Sequence, residues 1–139
     1  MVNIKTLLIS INILMINVPP IFANDDYICK IERLSITDTD DKTQKFYENN
    51  YIGKTFTVDR VHGIMAGILK NSYLTKPQII DYGSKDNSYK VITPMTQNQG
   101  IGAGSSINAL NILEYKEGEK KPFVFLQNDI VFFGTCTHF

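Results

Sequence analysis

The sequence predicts an all-β domain: a small antiparallel meander rolled into a closed or partly closed β-barrel, with a two-sheet β-sandwich as the alternative. Three observations lead there. Short runs rich in β-branched and aromatic residues recur between Tyr27 and Thr137. Turn residues separate them at near-regular spacing, and most connections are short enough for local hairpins. The barrel is preferred because hairpins dominate and closure hides edge strands.

The elements follow in order. Residues Tyr27 to Ile36 alternate in part, with Tyr27, Cys29, Ile31 and Arg33 on one face and Ile28, Lys30, Glu32 and Leu34 on the other. Asp38 to Lys42 is a polar turn, and Thr43 to Asn50 is a short helical turn or a connector that ends at Asn49, Asn50 and Gly53. Thr55 to Val61 is a strand with Phe56, Val58 and Arg60 sharing a face. His62-Gly63 turns it back into Ile64 to Leu69, where Gly67 marks a bulge. Gln78 to Tyr82 and Ser88 to Thr93 form a second hairpin that brings Tyr82 near Tyr89. Pro94 to Ser106 is polar, glycine-rich and without period, the longest loop candidate. Ile107 to Tyr115, Phe123 to Gln127 and Ile130 to Thr137 complete the meander. The last two are apolar on both faces, which predicts central strands.

The first 23 residues read as a cleaved signal peptide: one cation, Lys5, an apolar run from Leu7 to Val18, the breakers Pro19 and Pro20, and the small residue Ala23. The run is shorter than a membrane span requires. The expected product is residues 24–139, a single antiparallel β domain that is periplasmic or secreted and has no stable membrane span. Without Lys5 the chain holds thirteen basic and fourteen acidic residues, a formal charge near −1 with no basic stripe, so nucleic acid is not an expected partner. Its two cysteines, Cys29 and Cys136, lie near the two ends. In an oxidising compartment such a pair reads as a disulfide joining the terminal strands, worth about 4 to 5 kcal/mol on a chain-entropy estimate.

Motifs that carry chemistry are few. Gly100, Gly102 and Gly104 lack the following helix and the lysine of a phosphate loop. The two imidazoles, His62 and His138, make a zinc site only if they converge with Asp59, and no ligand spacing supports this. His138 stands two residues from Cys136, but a disulfide consumes the thiol. Among the strand carboxylates Asp59, Asp81, Glu114 and Asp129, Asp81 has the most apolar neighbours. No serine elbow occurs. No catalytic, metal or cofactor residue is therefore assigned.

The export signal, the barrel-like pattern and cysteines near both ends resemble those of the small periplasmic lysozyme-inhibitor proteins. That family's Ser-Gly-x-Lys-Tyr-like inhibitory loop is absent, and Tyr82-Gly83-Ser84-Lys85-Asp86 echoes it only loosely, so no functional residue carries across. The expected function is non-enzymatic binding of an extracytoplasmic protein through a loop edge, inhibitor-like or immunity-like. The expected contacts are Gln97, Asn98, Gln99, Gly100, Gly102, Gly104 and Ser105, with Tyr82 or Tyr89 as the aromatic anchor. The alternatives are a carrier with an internal cavity for a small apolar ligand and, third, a small envelope enzyme.

Overall fold

In a computed structural model, which describes residues 25–99 and 104–139, every predicted strand region contributes to one sheet. The proposed signal peptide lies outside the described residues. The strands are β1 (Tyr27–Ile36), β2 (Thr55–Val58), β3 (Met65–Gly67), β4 (Gln78–Tyr82), β5 (Tyr89–Met95), β6 (Ser106–Ile112), β7 (Lys121–Gln127) and β8 (Ile130–His138). Their order is β3-β2-β1-β8-β7-β6-β5-β4, antiparallel throughout. Each strand thus pairs with its sequence neighbour, and β8 returns to β1. This is the cyclic order of an up-and-down barrel with one pairing left out, that between β3 and β4. The result is a strongly curled, open antiparallel sheet, a half-barrel.

Alternation sets its inner face. Cys29 and Ile31 of β1, Phe56 of β2, Leu110 of β6, Phe125 of β7 and Phe132 of β8 are all buried. Phe56 meets Phe123 edge-on at 5.3 Å between ring centroids, and Phe125 packs on Phe132 at 6.2 Å. Each such aromatic withdrawn from water contributes about 1.5–3 kcal/mol. Cys29 and Cys136 are direct cross-strand partners on β1 and β8 and form a disulfide, closing a separation of 107 residues. β7 and β8 occupy the middle of the sheet.

Two local departures from the sequence reading have clear causes. A bulge between Ile31 and Arg33 shifts the register of β1 against β8. It turns Leu34, not Arg33, inward, and the Arg33 guanidinium lies 3.6 Å over the Phe133 ring on the outer face. Opposite the bulge sits Gly134, where a Cβ would collide with the Lys30 carbonyl and the Phe123 ring. The region from Thr43 is a full helix, α1 (Asp41–Tyr51). Asp40 caps it, accepting from the Thr43 N–H at 2.8 Å. Tyr47 and Tyr51, one turn apart, dock it on the core, with Tyr51 5.2 Å from Phe132. Tertiary packing stabilises an 11-residue helix that would be marginal alone.

Candidate functional site at the open seam

The unpaired flank of the sheet begins where β2 stops. The Asp59 carboxylate accepts from the Val61 and His62 backbone N–H groups at 2.9 and 3.0 Å and contacts His62 Nδ1 at 2.7 Å. Partial burial pushes this carboxyl up, but the hydrogen bonds from His62 and the turn outweigh it and hold it below the usual range. The turn so made replaces the predicted strand end and closes at Gly63, whose φ of +73° suits glycine. A Cβ at Gly63 would stand 2.9 Å from Val91 and 3.3 Å from Ile79. The turn therefore leans directly on β4 and β5.

Side chains bridge what the backbone leaves open. Buried Asn71 accepts from the Met65 N–H through Oδ1 at 2.8 Å and donates through Nδ2 to the Gly63 carbonyl at 2.8 Å. It satisfies the edge of β3 as a neighbouring strand would. Arg60 reaches across and donates from Nε and Nη2 to the Tyr82 carbonyl at 3.2 and 2.9 Å. Ile79 packs against the core, whereas Ile80 and Tyr82 stay 64% and 58% exposed.

Between these bridges lies a cleft of about 510 Å³. Val61, Ile64, Pro77 and Ile79 supply its apolar walls and Tyr82 an aromatic one. Its polar members are His62, Ser72 and Lys76, and none of its lining residues is acidic. Among the described residues Lys76 has no carboxylate partner, while His62 is answered by Asp59. The outer face adjoining the seam is also apolar: Ile80, Ile92, Ala109 and Leu126 line a second depression of about 370 Å³.

A half-buried polar cluster marks one end of the half-barrel. The Tyr27 hydroxyl donates to Glu114 Oε2 at 2.8 Å, and His138 Nε2 contacts Glu114 Oε1 at 2.9 Å. His138 Nδ1 faces the Asp25 carbonyl at 3.1 Å, and its ring lies 4.5 Å from that of Tyr27. Burial alone would raise the Glu114 carboxyl, but hydrogen bonds from His138 and Tyr27, with the charges of His138 and Lys121, hold it low. Burial and the bond to Glu114 push the Tyr27 hydroxyl far up. Both carboxylate oxygens are engaged within the protein, which suits a structural tie between β1, β8 and the segment that follows β6. His138 thus turns into this cluster and away from His62 and Asp59, which pair with each other.

The expected partner contacts do not form one surface. Tyr89 is buried, donating to the Arg60 carbonyl at 3.0 Å, and burial raises its hydroxyl pKa. It is not available as an exposed anchor. Tyr82 is exposed and pairs with Tyr89 at the start of β5, as the hairpin reading required. Gln97, Asn98 and Gln99 form an exposed 3-10 turn beyond the far end of β5, and Gly104 and Ser105 are exposed. Gly100 and Gly102 lie outside the described residues. Seven strand residues, roughly 20 Å, separate Tyr82 from the loop. Asp81 spends Oδ1 on the Gly83 N–H at 2.8 Å. Among the described residues, no three His, Cys, Asp or Glu side chains gather as a metal site. Nor is any helix among them long and apolar enough to cross a membrane.

Asn71 and Lys76 gave no sequence signal, and the link from Arg60 to Tyr82 spans 22 residues, which no local pattern reports. Comparison with known proteins found no match: no family model, curated protein or solved structure is significantly similar to this chain.

Proposed function

We propose that the protein is a non-enzymatic extracytoplasmic binding module that holds a small apolar ligand at the open seam of its half-barrel. The observation that carries this reading is the break between β3 and β4, where the missing strand pairing leaves a cleft of about 510 Å³ with apolar walls. That volume lies within the range of small-molecule sites. The barrel interior is a poorer host than the sequence reading of an internal cavity supposed. Tyr27, Phe56, Tyr89, Phe125 and Phe132 are fully buried and fill it. The ligand accordingly enters from the side, against Val61, Ile64 and Tyr82.

Titration of the disulfide-intact protein with Nile red, a neutral apolar dye, tests the reading. Wild type enhances and blue-shifts the dye, and Val61→Asp or Ile64→Asp weakens binding at least tenfold while circular dichroism stays native. Both positions are exposed, so the variants fold. Equal dye binding by wild type and both variants, or none by wild type, overturns it.

The reading of a protein partner rests on Tyr73, Leu74, Ile80 and Tyr82, large apolar side chains left exposed within ten residues of chain. Capture of an envelope protein that is lost in Tyr82→Ala but kept in Val61→Asp favours that reading over the small ligand.

A further inference from the structure

We infer that the ligand of the seam cleft is an amphipathic monoanion, a free aliphatic carboxylate whose tail lies on the apolar walls and whose head meets Lys76. This rests on the proposed small-ligand function and adds the chemistry of the ligand. Charge is the first ground. Among the described residues, the cleft contains one cation without a carboxylate partner, Lys76, and no acidic lining residue. The imidazole of the lining, His62, is held by Asp59 Oδ2 at 2.7 Å, so that pair adds no uncompensated positive charge.

The number and type of donors narrow the class. Lys76 is a compact point charge with three rotatable donors, and the Ser72 hydroxyl is the other uncommitted small donor of the lining. Together they suit the two oxygens of one carboxylate. A phosphate would bring nearly twice the charge and favours a guanidinium fork. The nearby guanidinium, Arg60, is already engaged by the Tyr82 and Gly83 carbonyls at 2.9 and 3.4 Å. Among the other lining residues, Val61, Ile64, Pro77 and Ile79 offer no hydrogen-bonding side chain, which fits a saturated tail.

Displacement of Nile red separates this inference from the reading beneath it. Decanoate, decanol and decyltrimethylammonium share one tail and differ in head charge, and each is used below its micelle concentration. Decanoate should displace the dye about three- to fivefold more tightly than decanol, the strength of an exposed ion pair. Decyltrimethylammonium should be weakest, and the decanoate advantage should shrink as salt rises. Lys76→Gln should erase the advantage and leave decanol unchanged. Lys76 is exposed, so its substitution leaves the fold intact. Equal displacement by decanoate and decanol, or an advantage that survives in Lys76→Gln, overturns the carboxylate inference and leaves the apolar-ligand reading standing. Dye that wild type binds but none of the three displaces overturns the carboxylate inference, and no dye bound by wild type removes both.

Discussion

Arg60 holds Tyr82 across the open flank of the sheet: its guanidinium donates two hydrogen bonds to the Tyr82 carbonyl, at 2.9 and 3.2 Å, where a barrel would have a strand pair. The same guanidinium carries a 4.0 Å ion pair to Asp25 and lies 5.8 Å over the Tyr27 ring. Arg60→Met keeps the aliphatic stem and removes the donors. Its expected cost is about 1.5–3 kcal/mol, the range for hydrogen bonds from a charged group. Urea denaturation measures the cost, and faster amide exchange confined to residues 78–83 localises it to the seam.

Asn71 is the second bridge, and its removal differs in kind. Asn71→Ala leaves the Met65 N–H and the Gly63 carbonyl buried without partners. Each orphaned group costs about 1–3 kcal/mol. The variant should therefore lose more stability than Arg60→Met, and Asn71→Asp should also be destabilised at pH 7, because it keeps the acceptor for Met65 but sets a buried carboxylate oxygen against the Gly63 carbonyl. Equal stability of Asn71→Ala and wild type in chemical denaturation would contradict the bridge.

The disulfide ties adjacent strands that lie 107 residues apart in sequence. Loss of such a crosslink typically costs 2–5 kcal/mol. The double variant Cys29→Ala with Cys136→Ala should lower the urea midpoint accordingly, with reductant having no further effect on it. Non-reducing and reducing peptide maps check the pairing itself. Free alkylatable thiols in the native protein would refute it.

Glu114 makes stability fall on the acid side. Its carboxyl sits below the ordinary value of 4.5 in the folded protein. A depressed folded value means that the contribution is complete above the unfolded value and is lost as pH falls through the folded one. Melting temperature should drop from about pH 4.5 downward, and Glu114→Gln should flatten that slope while being less stable than wild type at pH 7. The difference between the two profiles isolates Glu114 from Asp40 and Asp59, whose carboxyls are also held low. Parallel profiles over pH 3–5 would contradict the assignment.

The chain alone determined the strands and most turns, because these depend on near neighbours and on period-two alternation, and the cysteine pairing, because the sequence holds only two cysteines. Phe123 to Gln127 and Ile130 to Thr137, apolar on both faces, announced central strands and form β7 and β8. Tyr82 and Tyr89 were readable as a pair because a short turn fixes their register. Alternation could not locate the bulge that turns Leu34 inward, since one extra residue reverses every face after it.

Tertiary structure alone decided the site. Whether the two edge strands of the sheet, β3 and β4, meet depends on curvature summed over the whole sheet, and no local residue encodes where the sheet stays open. The seam between β3 and β4 brings Arg60 to Tyr82, Asn71 to Met65, and Val61 and Lys76 to one cleft. The same closure buries Tyr89 and fills the interior with aromatic side chains. Side-chain volume against barrel radius sets that outcome, and it moves the candidate binding surface from the inside of the barrel to its open flank.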